Sequence, residues 1–203
     1  MKPLQLPLEP GRYYHIFNRG NNGDRVFYSD ENYRFFLRRL DEHLSELIEV
    51  YAFCLLPNHF HLLVRIKERP LPPVEALHLA DAKLLKDPVS AGFQRMFTSY
   101  SKAVNKQERR HGSLIENPFK RKEVTHPRYF SNLVWYIHAN PQLHGLCDDF
   151  RQHPWSSYKR ILINRPSKLE KEAVLSWFGN QANYLDYHSN SANLEEIRDL
   201  ILE

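Results

Sequence analysis

Apolar and polar positions along the chain change period several times. From Arg12 to Asn18 the tyrosines, Ile16 and Phe17 form a run rich in aromatic and β-branched residues, which predicts a first strand. Gly20-Asn21-Asn22-Gly23-Asp24 is a turn cluster. Ser29 then stands where a side-chain oxygen can satisfy the free backbone donors of a helix starting at Asp30. Phe35, Phe36, Leu40, Leu44 and Leu47 recur at helical spacing and give that helix its apolar face. Glu49 to Leu56 and Phe60 to Lys67 predict two more strands, joined as a hairpin through Pro57-Asn58.

Arg69-Pro70-Leu71-Pro72-Pro73 interrupts the pattern, and residues 74–87 predict a short helix ended by Pro88. A longer helix follows from about Ala91 to Arg110, with Phe93, Met96, Phe97, Tyr100 and Val104 on its apolar side and Gly112 as a stop. Phe119 to Val124 alternates enough to be a fourth strand. Pro127 suits the first turn of a helix running to about Ala139. Asn140-Pro141 should end it, because proline pushes the preceding residue out of the helical region. Beyond Gly145 come Trp155-Ser156-Ser157-Tyr158 and helical stretches at 168–178 and 193–202. The order strand, helix, strand, strand, helix, strand, helix points to an α+β fold. It is ferredoxin-like: an antiparallel sheet with helices packed on it, plus a helical C-terminal extension.

Composition narrows the class. A chain of 203 residues fits one domain, or one domain with an appendage, and 42% hydrophobic residues suffice for a core. No run approaches the roughly 18 apolar residues that a membrane helix needs. Met1 to Pro7 carries two prolines and no apolar signal core, so a cytoplasmic protein without membrane contact is expected. Cys54 and Cys147 sit in no metal or redox spacing. With 28 Lys and Arg against 24 Asp and Glu, the net charge of +4 permits polyanion binding without compelling it. The basic residues do cluster, at Arg34, Arg38 and Arg39, at Lys102, Lys106, Arg109 and Arg110, and at Lys120, Arg121 and Lys122.

The chemistry starts in the hairpin's second strand. His59 and His61 are one residue apart, so they share a face while Phe60 points the other way. Such a pair is a ready metal-binding edge, though it also arises where two histidines merely fit a strand. Two imidazoles leave a divalent metal underligated, and a third donor is needed. Tyr136 and Asn140, four residues apart, fall on one helix face. Asn140 offers an amide oxygen, and Tyr136 stands one turn away. A free phenol, with a pKa of about 10, is a poor nucleophile at neutral pH. A neighbouring cation favours the phenolate and polarises a phosphorus, so the quartet makes sense as covalent catalysis on a phosphodiester. Asn before Pro is equally turn chemistry, and Tyr136 beside Trp135 equally core packing. Tyr100 is a rival nucleophile, but its neighbour at i+4 is Val104, which ligates nothing. A two-His-one-carboxylate iron site lacks its carboxylate. Cys54 lies mid-strand in an apolar run, and there is no Gly-rich phosphate loop.

Pro57-Asn58-His59-Phe60-His61-Leu62-Leu63-Val64 resembles the His-hydrophobe-His strand of the single-tyrosine HUH transposases, and of their REP-associated branch in particular. Three further segments share the resemblance: Tyr14 to Asn22, Tyr136-Ile137-His138-Ala139-Asn140-Pro141, and Pro154-Trp155-Ser156-Ser157-Tyr158. It spans roughly residues 12 to 160, which implies a transposase-like domain over 1–160 and an extension of unknown role over 161–203. The resemblance implies His59, His61 and Asn140 as metal ligands, Tyr136 as nucleophile, and Mg2+ or Mn2+ as the metal. A site of mixed nitrogen and oxygen donors fits manganese better than magnesium. The implied reaction is cleavage and transfer of single-stranded DNA near a hairpin through a 5′-phosphotyrosine. Lys120, Arg121 and Lys122, with Arg19, are then the residues expected on the DNA backbone. Tyr13, Tyr14 and Phe17 are candidates for base stacking. Relatives can share a helix between subunits, so a homodimer is compatible. Two alternatives stay open: a non-catalytic or domesticated hairpin-binding protein, and a phosphodiesterase using activated water.

Overall fold

A computed structural model describes residues 6–68, 87–190, 195 and 198–201. The elements run β1 (Tyr13–Arg19), α1 (Asp30–Leu44), β2 (Ile48–Leu56), β3 (His59–Ile66), α2 (Pro88–Gln107), β4 (Lys120–Glu123) and α3 (Tyr129–Leu143). Four shorter helices follow: α4 (Tyr158–Leu162), α5 (Lys171–Trp177), α6 (Gln181–Ser189) and α7 (Arg198–Ile201). The sheet order is β2-β3-β1-β4, and every pairing is antiparallel. This is the expected ferredoxin-like α+β arrangement. Among the described residues no helix is long and apolar enough to cross a membrane.

One face of the sheet packs against α1 and α2. Asn32 Oδ1 accepts from the backbone N–H of Tyr28 and of Ser29, which closes the start of α1, and Asp30 and Glu31 favour its positive end. Phe36, Leu40 and Leu44, one turn apart, then bury a single stripe. They meet Phe93, Met96 and Tyr100 of α2 over Ile16, Phe60, Leu62 and Val64 of the sheet. Each such apolar side chain, fully buried, stabilises the fold by about 1.5–3 kcal/mol. Gly92 lets the helices approach, because a Cβ there would lie 2.8 Å from Leu44 Cδ2.

The other face is covered by α3 and the C-terminal helices. Cys54, Leu56 and Leu63 pack there with Leu133, Ile137, Tyr158, Val174 and Tyr184. β2 and β3 are therefore buried on both faces, which explains their nearly unbroken apolar runs. The Trp155-Ser156-Ser157 segment extends this layer along the outer side of β2. Leu55 N–H donates to Trp155 O at 2.9 Å, and Ser157 N–H donates to Phe53 O at 2.9 Å.

Three boundaries differ from the sequence pattern. The longer helix expected from about Ala91 opens earlier, at Pro88: at N1 its missing N–H costs nothing, and Asp87 Oδ1 accepts from Ser90 N–H at 2.8 Å. Residues 74–86 of the helix expected before it lie outside the described residues. α3 runs through Asn140-Pro141 to Leu143. Proline removes one donor from the helix, but Pro141 is buried, and the last turn closes around it. His144 N–H donates to Asn140 O at 3.0 Å and Leu146 N–H to Pro141 O at 2.8 Å. α6 was not legible as a helix, and of the stretch 193–202 only Arg198–Ile201 is described as one.

Candidate active site between the sheet and helix α3

Strand alternation and register assemble the site. His59 and His61 of β3 pair with Arg19 and Phe17 of β1, and His15 lies two residues before Phe17 on the same face. On β4, Lys122 pairs with His15 and Lys120 with Phe17. The side chains of this face look towards α3, whose Tyr136 and Asn140 stand one turn apart.

Each imidazole is oriented by a second group. His59 Nδ1 lies 2.7 Å from Asn58 Oδ1, an acceptor, so Nδ1 carries the proton and Nε2 presents its lone pair. His61 Nδ1 lies 3.0 Å from His15 Nε2, which directs His61 Nε2 away from β1. Burial pushes the pKa of His59 down to about 4, and the neighbouring His144 and Arg19 push the same way. Burial also holds His61 well below the ordinary range, with further repulsion from His15, His59 and His144. Both are therefore neutral at physiological pH, which is the ligating form of the ring.

Asn140 is fixed by its own helix. Its Nδ2 donates to Tyr136 O at 2.9 Å, which leaves Oδ1 as the remaining polar atom of a fully buried side chain. The carboxamide lies beside His59 and partly counters the fall in that imidazole's pKa. His59 Nε2 and Asn140 Oδ1 are both buried without a hydrogen-bond partner. Such atoms cost roughly 1–3 kcal/mol each when nothing binds them. Among the described residues no three His, Cys, Asp or Glu side chains converge as a metal site. A cation here would thus need the two strand histidines together with the Asn140 oxygen, and the orphaned atoms fit that donor set. The Tyr136 ring stands edge-on to His61, with ring centroids 5.6 Å apart, and edge-on to His15 at 6.1 Å.

The predicted cations divide by strand parity. Lys120 and Lys122 each place Nζ 5.7 Å from the Phe17 ring, on the face of the histidines. Arg19, opposite His59, pairs with Glu116 at 2.6 Å and stays half-exposed. Arg121 departs from its neighbours. One residue out of step, it points to the opposite face, where it donates to Ser90 Oγ at 2.6 Å and pairs with Asp87 at 3.4 Å. It ties β4 to the start of α2 and is not beside the histidines. Tyr100 also lies on the α1–α2 face, fully buried, its hydroxyl donating to Val26 O at 2.8 Å. Of the candidate stacking residues, Phe17 is on the histidine face, whereas Tyr14 packs in the α1–α2 core.

Three site residues were missed from sequence. Asn58 stands in the hairpin connection, and its sequence position assigns it no role at the site. His15 belongs to the site through register, which a single sequence does not display. His144 follows Tyr136 and Asn140 at the next i+4 position, and its ring lies 4.7 Å from that of His59. Its spacing was a usable signal, lost by ending α3 at Ala139.

A buried relay braces α3 from behind. His138 Nε2 lies 2.7 Å from Ser157 Oγ, and its Nδ1 lies 3.0 Å from His188 Nε2. His188 Nδ1 donates to Tyr184 O at 2.8 Å, which fixes the tautomers: His138 donates to His188 and accepts from Ser157. Ser157 Oγ in turn accepts from Phe53 N–H at 2.9 Å, so the relay joins α3 to β2 and α6. Burial lowers the pKa of both histidines, that of His188 to about 4.

No protein-family model matches the chain. A protein of Haemophilus influenzae that carries the provisional name REP-associated tyrosine transposase is 27% identical over 112 residues. That match covers 55% of this chain and 60% of the relative, so it spans less than two thirds of the relative's length. A solved structure of a REP-associated tyrosine transposase bound to a REP hairpin superposes with a TM-score of 0.63 at 15% identity. The superposition covers 82% of this chain and 89% of that one, and it shows a shared fold. The resemblance carried by the motifs is thus met by one relative that carries this provisional name and by a solved structure of the same fold.

Proposed function

We propose that the protein cleaves and rejoins single-stranded DNA at hairpins, with Tyr136 as the nucleophile. The observation that carries this reading is the convergence of two buried, orphaned donor atoms, His59 Nε2 and Asn140 Oδ1, on the face where His61 meets Tyr136. His59, His61 and Asn140 would hold a divalent cation. Two imidazole nitrogens and one amide oxygen suit Mn2+ better than Mg2+. When bound, such a cation supplies Lewis-acid polarisation of a phosphate oxygen and favours the phenolate.

The chain's own residues do the rest. Lys120 and Lys122 bind the strand through its phosphates, and Arg19 adds charge beside His59. The Tyr136 oxygen loses its proton and forms a bond to phosphorus as the phosphorus–O3′ bond breaks. The departing 3′ oxygen takes up a proton, leaving a 5′-phosphotyrosine and a 3′-hydroxyl. Attack by another 3′-hydroxyl reverses these steps and joins new strands, so the bond energy is conserved without a nucleotide cofactor. Asn58, His15 and the His138 relay act as positioning groups.

The test incubates the protein with Mn2+ and a hairpin oligonucleotide bearing a 5′ tail, followed by a denaturing gel. A covalent adduct that disappears in Tyr136→Phe is the expected result. An adduct that survives that substitution overturns the assignment. One observation favours a second reading. Tyr136 is only 7% exposed, as befits a hairpin-binding protein that keeps the fold without the chemistry. That reading predicts salt-sensitive hairpin binding with no metal requirement and no adduct.

A further inference from the structure

A cavity opens beside α1, with none of the site histidines in its lining. It encloses about 600 Å3 between α1, the outer side of β2 and the segment 167–170, a volume typical of small-ligand sites. The strand order puts β2 at one edge of the sheet and the Lys120–Lys122 strand at the other. Its floor is apolar, formed by Leu40, Ile48, Val50, Phe53 and Leu169. Leu169 is held in place by a bridge to Val50 and by Glu170 N–H donating to Val50 O at 3.0 Å.

Five cationic side chains line the rim, and four are engaged. Lys168 pairs with Asp41 at 2.8 Å, Lys67 donates to Ser45 O at 2.8 Å, and Arg38 pairs with Glu31 at 2.6 Å. Arg34 lies 3.8 Å from Asp30 and from Glu31, its guanidinium over the Trp155 ring. Arg160 differs. It is exposed, and its guanidinium sits 5.2 Å over the Phe53 ring. Among the described residues it makes no ion pair. A guanidinium without a carboxylate partner, set above an aromatic floor, is complementary to an anion offering two acceptor oxygens. The apolar floor asks for a flat, weakly polar body attached to that anion.

We infer that this cavity binds a nucleoside monophosphate unit, its phosphate on Arg160 and its base on the Phe53–Leu169 floor. The inference does not rest on the chemistry of Tyr136. The unit can be a free nucleotide or one nucleotide of a DNA strand held by the protein.

Calorimetric titration of the full chain with dAMP tests it. Saturable 1:1 binding is expected. Arg160→Ala should weaken it at least about tenfold, as for loss of a charge-assisted hydrogen bond. Arg160→Lys should weaken it less, and Tyr136→Phe and Lys120→Ala should leave it unchanged. A single-stranded oligonucleotide that displaces dAMP identifies the strand as the source, and failure to displace identifies the free nucleotide. Absence of saturable binding, or binding indifferent to Arg160→Ala, overturns the inference. So does displacement by inorganic phosphate as effective as by dAMP, since the base then contributes nothing. Should Arg160→Ala lose its cooperative melting, amide shift mapping of the unaltered protein decides. Shifts at Val50, Phe53 and Leu169 support the cavity, and their absence refutes it.

Discussion

The two faces of the sheet are buried in opposite styles. Between the sheet and α1–α2 the interior is nearly all hydrocarbon and aromatic ring, and the hydroxyl of Tyr100 is spent on a backbone carbonyl. Between the sheet and α3 the interior holds His15, His59, His61, His138 and Asn140, with donor atoms left over. A buried polar atom without a partner costs free energy, so the second face is poorer as packing and richer as chemistry. Two tyrosines make the contrast concrete. Tyr100 and Tyr136 are both buried and helical, yet only Tyr136 meets imidazoles.

The largest expected effect separates those tyrosines. Tyr136→Phe should reduce covalent DNA adduct below detection, whereas Tyr100→Phe should leave it and cost about 1 kcal/mol of stability for the lost hydrogen bond. Denaturing gels and urea unfolding read the two outcomes.

Next in size is the metal response. Mn2+ at a hundred times its dissociation constant should stabilise the protein by about 2.7 kcal/mol, read as a rise in melting temperature. His61→Ala or Asn140→Ala should abolish that rise. Gly92→Val, on the other face, should keep it while destabilising the fold by about 1–3 kcal/mol through overpacking against Leu44.

Acid should affect the α3 face selectively. His59 and His188 have folded pKa values near 4 against an ordinary value of 6.5. The unfolded chain binds protons more readily, so stability is complete above about pH 6.5 and falls as pH drops towards 4. Each histidine contributes on the order of 3 kcal/mol to that fall. Urea midpoints of the metal-free protein across this range measure it. His188→Gln should flatten the slope.

The smallest effect concerns the basic strand. Lys120→Ala and Lys122→Ala should each weaken hairpin binding and reduce its salt dependence by about one counterion. Arg121→Met should leave that slope alone and show its effect in stability. Fluorescence anisotropy at several salt concentrations tells these apart.

Most of the architecture was legible because hydrophobic period survives in a single sequence. The His59–His61 face followed from strand alternation, and the Tyr136–Asn140 pair from helical spacing. What could not be read depends on contacts between elements. His15 joins the site through the pairing of β1 with β3, and Arg121 leaves it through the parity of β4 against β1. The proline rule failed at Pro141 because tertiary burial outweighed a local penalty of roughly 3 kcal/mol, and that failure hid His144. The start of α2 was placed three residues late, at Ala91, because Pro88 also suits the first turn of a helix.

Mass spectrometry of the nucleotide-linked peptide tests the central claim most directly. After reaction with Mn2+ and a tailed hairpin, trypsin should release a peptide spanning residues 129–151, bounded by Arg128 and Arg151. Fragmentation should place the 5′-phosphate on Tyr136. A nucleotide on Tyr100, in the peptide 96–102, or no linked peptide alongside cleaved DNA, would contradict the account.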